Sequence, residues 1–146
     1  MKKDNEFMKV CYELAQHAAT KGNSPVGAVI VRGEEIVSRG EEAVKTKNDI
    51  TSHAEIEAIR QAVIQLKTKD LSECVLYSTH EPCIMCAYAI RFHKIGKVVY
   101  RNKAAYLGGA SSSMPLLITT EVPPHWNAPP VIIHLDPGFN ASGKGS

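Results

Sequence analysis

Cys74-Val75-Leu76-Tyr77-Ser78-Thr79-His80-Glu81-Pro82-Cys83-Ile84-Met85-Cys86 is the stretch on which the fold turns. Its first five residues read as a buried strand. Pro82 follows where proline favours the first turn of a helix, and the apolar pattern continues to about His93. A strand thus runs through a short turn into a helix, with two cysteines at the helix start.

Towards the N-terminus, a helix is expected over roughly 53–67, with Ile56, Ile59, Val63 and Leu66 along one face. Before it, the β-branched run Val26–Val31 turns at Gly33 into Glu35–Ser38 and reads as a hairpin, followed by a polar loop from Gly40 to Ser52. Residues 4–20 place Phe7, Cys11, Leu14 and Ala18 at helical spacing, and Gly22-Asn23-Ser24-Pro25 breaks that helix. Towards the C-terminus, Val98–Tyr100 and Val131–Leu135 are the fourth and fifth strands. Between them lie a Gly/Ser loop (Gly108–Ser113), a short apolar piece (Met114–Ile118) and a proline-bracketed stretch around His125-Trp126. Strands alternating with helices imply an α/β chain, a three-layer α/β/α domain on a five-stranded mixed sheet. Residues 1–137 are expected to form this one domain, and the Gly/Ser-rich 138–146 a tail.

Composition sets limits on function. With 146 residues, 44% hydrophobic and 22% charged, the chain suits a single globular domain. No apolar run is long enough for a membrane span, and Met1-Lys2-Lys3-Asp4-Asn5-Glu6 lacks a signal peptide's apolar core, so a cytoplasmic protein with no membrane partner is expected. Seventeen basic against fifteen acidic residues leave a net charge of +2, and beyond Lys103 the only Lys or Arg is Lys144. On that balance no nucleic-acid partner is expected; the group Arg91, Lys94, Lys97, Arg101 and Lys103 reads as a solvated face rather than a phosphate site. In a reducing compartment the close pair Cys83 and Cys86 reads as metal-binding rather than a disulfide, whereas Cys11 and Cys74 read as buried free thiols.

Two segments carry chemistry: His53-Ala54-Glu55 and Pro82-Cys83-Ile84-Met85-Cys86. Cys83 and Cys86 are one helical turn apart, so their sulfurs converge on one ion at a helix start, where the macrodipole favours thiolates. His53 supplies a third ligand, and three protein ligands with an open fourth position are the catalytic arrangement of Zn2+. A structural site would need a fourth Cys or His, for which His80 and His93 are the candidates. Glu55 is close to the metal without being needed as a ligand. It is positioned to take the proton of an activated water as a base and to return it as an acid.

H-x-E paired with P-C-x-x-C is the signature of zinc deaminases that act on bases. With Pro25–Val31, Asn48–Glu55 and Tyr77–Ile90 around it, the chain resembles the cytidine deaminase-like superfamily, nearest the branch of bacterial tRNA adenosine deaminases and small guanine deaminases. The resemblance implies hydrolysis of a cyclic amidine C–N bond, a five-stranded sheet flanked by helices, and a homodimer with active sites near the interface. It also implies that the backbone N–H groups of Ala54 and Cys83 contact the substrate or the zinc-bound oxygen. Three positions depart from the pattern. Glu42 occupies the place of an Asn that holds the base, and Ala104 that of an Asp in the tRNA enzymes. Asp136-Pro137-Gly138-Phe139-Asn140 replaces an arginine-rich helix. His80, where the family often has an apolar residue, becomes a substrate-contact candidate, and Trp126 a lid or a dimer contact.

The expected activity is release of ammonia from a small amino-substituted base or nucleoside. An ionised Glu42 only accepts hydrogen bonds and so favours a guanine-like base. A tRNA adenosine-to-inosine deaminase is the alternative. A noncatalytic zinc scaffold, one half of a heterodimer, is the alternative from another class, and the intact Glu55 argues against it.

Overall fold

The computed structural model describes residues 2–135; the expected tail at 138–146 and the segment Asp136–Asn140 lie outside them. Five strands, β1 (Gly27–Arg32), β2 (Glu35–Glu41), β3 (Cys74–His80), β4 (Lys97–Asn102) and β5 (Val131–His134), form one sheet in the order β2-β1-β3-β4-β5. β1 pairs antiparallel with β2 and β3, whereas β3–β4 and β4–β5 are parallel, so the sheet is mixed.

Alternation along the central strands sorts two cores. Ala28, Ile30, Leu76 and Val98 face α3 (Ala54–Leu66) and α4 (Ile84–Phe92). Val29, Val31, Tyr77 and Val99 face Phe7, Met8 and Cys11 of α1 (Lys2–Thr20). Side chains one residue apart on a strand point to opposite faces, which is how one short apolar run serves both layers. Tyr77 hydroxyl donates to Asp4 (2.6 Å) and fastens α1 to the sheet.

Local differences from the sequence expectation have physical causes. β2 extends to Glu41 because residues 39–41 pair with β1. The loop after it contains a one-turn helix, α2 (Val44–Lys47). Its first N–H, on Val44, bonds to the Glu42 carboxylate at 2.6 Å. The buried side of α3 is an alanine stripe, Ala54, Ala58 and Ala62 with Ile59, rather than the bulky row anticipated; Ile56 and Val63 are only partly covered. Small residues bring the helix backbone close to β2. Gly40 completes the approach, since a Cβ there would lie 2.5 Å from Ala58 N. α4 begins at Ile84 with Cys83 as N-cap, so Pro82 precedes the helix instead of entering it.

Candidate active site

Both chemical motifs sit at helix starts beside the C-terminal end of β3. His53 is the N-cap of α3 and Cys83 the N-cap of α4. Backbone N–H groups in a first helical turn have no intrahelical acceptor, which leaves those of Ala54 and Cys83 available where both residues line a shared cavity. That cavity, about 250 Å³, is bounded by Ser24, Val26, Glu42, the His53–Glu55 turn, His80, Glu81 and Cys83.

His53 Nδ1 lies 3.6 Å from Cys83 Sγ and 3.5 Å from Cys86 Sγ, and the two sulfurs are 3.7 Å apart. Tetrahedral zinc with Zn–S of about 2.3 Å and Zn–N of about 2.05 Å requires S···S of about 3.8 Å and N···S of about 3.6 Å. The side chains therefore fit the ion as they stand. Among the described residues this is the group of three His, Cys, Asp or Glu side chains able to hold a metal. The charge on the cluster suits a cation: hydrogen bonding from Cys86, and then His53 beside it, holds the Cys83 thiol down at about 4. Cys86 is pushed the other way by its bond to Cys83 and by burial. Neither His80 nor His93 joins them as a fourth ligand: His80 Nδ1 bonds Thr79, and His93 Nδ1 bonds Lys69 carbonyl.

Glu55 is 3% exposed, and burial raises its carboxyl above the usual range. Ser78 hydroxyl donates to Oε2 at 3.1 Å, and Oε1 lies 3.8 Å from Cys86 Sγ. One oxygen is thus anchored from β3 while the other faces the metal ligands. Glu55 is not among the three side chains grouped to hold a metal.

Glu42 is buried and lines the cavity, but Oε1 already accepts from Val44 N–H. That oxygen is thereby partnered within the cavity wall itself. His80 also lines the cavity. Ala104, in place of the Asp, donates its N–H to Glu81 Oε1 at 3.1 Å.

Glu81 is a further residue of the site that the sequence motifs do not announce. It is 3% exposed and accepts from Ala104 N–H (3.1 Å), Ala110 N–H (2.9 Å), Ser111 N–H (2.7 Å) and Ser111 hydroxyl (2.7 Å). A Cβ on Gly108 would come within 2.6 Å of its carboxyl carbon. The loop it gathers then touches the metal motif directly, through Gly109 N–H to Pro82 carbonyl (2.7 Å) and Ile84 N–H to Leu107 carbonyl (3.0 Å). Glu81 is thus a positioning residue, and the available signal was a carboxylate wedged between an apolar strand and Pro82.

Other expectations are revised. Arg91 is 2% exposed and donates Nη1 to the carbonyls of Leu116 (2.8 Å) and Thr119 (2.9 Å), so it is no part of a solvated basic face. Trp126 does not line the cavity; it packs edge-on against Tyr88 and Phe92 of α4, ring centroids 5.1 and 6.3 Å away. Cys11 and Cys74 are buried free thiols.

A three-layer α/β fold with a His/Cys/Cys triad and a buried glutamate defines a zinc hydrolase of the deaminase type. The family model for the cytidine and deoxycytidylate deaminase zinc-binding region matches residues 1–102, and the chain belongs to this family of zinc-binding, C–N-hydrolysing deaminases. It is 43% identical over 111 residues to the tRNA-specific adenosine deaminase of Aquifex aeolicus, covering 76% of this chain and 74% of that one. A structure from work on A-to-I editing by tRNA:A34 deaminases at the wobble position superposes with a TM-score of 0.79 at 31% identity, over 88% of this chain and 96% of that one. Guanine deaminase from Bacillus subtilis gives 0.65 at 39% identity, over 67% and 63%. These relatives overturn the expectation that nucleic acid is no partner. Net charge averages the whole surface, whereas recognition of one flipped base is built from a few local groups. Among the described residues no helix is long and apolar enough to cross a membrane.

Proposed function

We propose that this chain deaminates adenosine in transfer RNA to inosine, with the base flipped out into the cavity beside His53, Glu55 and Cys83. The observation that carries the reading is the zinc-ready triad with a Ser78-anchored Glu55, in a chain similar along most of its length to tRNA deaminases. Zinc held by His53, Cys83 and Cys86 would supply the nucleophile by lowering the pKa of a water from about 15.7 to about 7. Glu55 moves the protons. Its Oε1 accepts one, passes it to the ring nitrogen beside the carbon under attack, and delivers the next to the departing amine. Water contributes the new oxygen, the C–N bond breaks and ammonia leaves. The N–H groups of Ala54 and Cys83 donate to the substrate, and Glu42 and His80 flank the base.

A guanine-like free base is the second reading, supported by the buried Glu42 acceptor in the cavity wall. Ammonia release by the zinc-loaded protein separates the two, using an anticodon stem-loop with adenosine at the wobble position against guanine and free adenosine. Inosine in the stem-loop is the expected product; faster turnover of guanine would overturn the tRNA reading.

The exposed aromatic side of α4, with Tyr88 54% and Phe92 44% exposed, supports pairing of two copies through that helix. Light scattering at micromolar concentration should give a dimer mass, and a monomer mass would refute it. Four free cysteines support a reducing, cytoplasmic setting.

A further inference from the structure

We propose that Thr79 is a positioning residue that fixes the tautomer of His80, so that His80 meets the bound base as a hydrogen-bond donor through Nε2. The inference rests on the reading above that the base lies in the cavity His80 lines.

The antiparallel register of β1 and β3 places Ala28 opposite Ser78, and so sets Gly27 beside Thr79. Thr79 is fully buried, and its hydroxyl oxygen has two partners: Gly27 N–H at 3.3 Å and His80 Nδ1 at 2.8 Å. A buried hydroxyl keeps its own hydrogen bonded, because leaving it unpaired costs desolvation without return. Gly27 N–H can only donate. The hydroxyl hydrogen therefore goes to Nδ1, which must be the unprotonated nitrogen, and the ring proton sits on Nε2. The hydrogen-bond network thus assigns the tautomer.

Nε2 has no partner among the described residues. The buried side-chain atoms lacking one there are Ser52 Oγ and Arg91 Nη2, so Nε2 is not sealed inside the protein and, as proposed, it points into the cavity that His80 lines. Burial also lowers the His80 pKa, which keeps the ring neutral, with one donor and one acceptor. The cavity wall therefore presents an N–H from His80 and a carboxylate from Glu42. The N–H selects a heterocycle with an unprotonated ring nitrogen or a carbonyl oxygen on that edge. Adenine qualifies through its ring nitrogens.

The test uses the full zinc-loaded chain with 15N-labelled histidine, its His80 resonances assigned by their loss in His80→Leu. At neutral pH Nδ1 should resonate as an unprotonated nitrogen and Nε2 as a protonated one; a proton on Nδ1 would overturn the proposal. Thr79→Val removes the hydroxyl at nearly constant shape. It should unlock the tautomer and raise KM about five- to tenfold, the scale of one hydrogen bond, with kcat within about twofold. Thr79→Ser should restore both, and an unchanged tautomer and KM in Thr79→Val would refute the idea. If Thr79→Val does not fold, the spectra of the parent and of Thr79→Ser decide. The spectrum needs no substrate, so a wrong choice of base leaves it intact. Conversely, inosine formation by a protein with Nδ1–H would sink this inference alone.

Discussion

On one side of the cavity, His53, Glu55, Cys83 and Cys86 ride on the first turns of two helices packed on the sheet. By contrast, the chain from 103 to 130, which packs against the metal motif without lining the cavity, contains neither helix nor strand. That second region is held by single side chains that serve its backbone: Glu81 gathers residues 104–111, Arg91 grips the turn at 116–119, and Trp126 clamps onto α4. Regular structure satisfies its own backbone, whereas an irregular segment against a core must borrow partners. The chemistry was placed on the self-sufficient side, and its surroundings depend on two buried ions.

If that contrast is right, perturbing the helix-borne side should abolish chemistry, and perturbing the loop side should loosen the site. The largest effect is expected from Cys86→Ala, which leaves two ligands for the metal. Zinc by elemental analysis should fall well below one per chain, and turnover should vanish. Removing zinc from the parent by chelation should do the same and be reversed by adding zinc back. Next comes Glu55→Gln, which keeps size and fold but cannot shuttle protons. Zinc should stay bound while kcat drops by about 10,000-fold, the upper end for one acid–base group. Near-parental turnover would mean that another residue moves the protons.

On the loop side, Glu81→Gln replaces an acceptor of four hydrogen bonds with a group that turns an amide NH2 towards N–H donors. It should cost about 3 kcal/mol of stability in denaturant melts and raise KM more than it lowers kcat. An equal loss of zinc in this variant would erase the distinction between the two regions. The smallest effect is expected for Arg91→Met, which loses two charge-assisted bonds but fills the same space. A loss of about 2 kcal/mol in stability is expected, with kcat and zinc content unchanged.

The same contrast explains what the sequence disclosed. Cys83 with Cys86, and His53 with Glu55, were legible as short-range pairs, and the resemblance carried by H-x-E and P-C-x-x-C joined the two pairs across 30 residues. The sheet was legible through β-branched runs such as Val26–Val31. By contrast, the contacts of Glu81, Thr79 and Ser78 depend on which part of the chain folds back against them, 23 to 52 residues away. Arg91 looked like a surface cation because nothing in its neighbours announces the carbonyls of Leu116 and Thr119. The nucleic-acid expectation failed because a global charge count was asked a local question.

Gly40 has a consequence for how this protein can change over generations. Its missing side chain is the gap into which the backbone of α3 settles, with Ala54 and Ala58 pressed against it. A mutation at position 40 therefore acts as if it had struck His53 and Glu55, although residue 40 lies outside the catalytic turn. The cavity rim at Glu42 and His80 lies outside α3 and is not part of that close approach. A lineage cannot drift at position 40 without moving the helix that opens on His53 and carries Glu55.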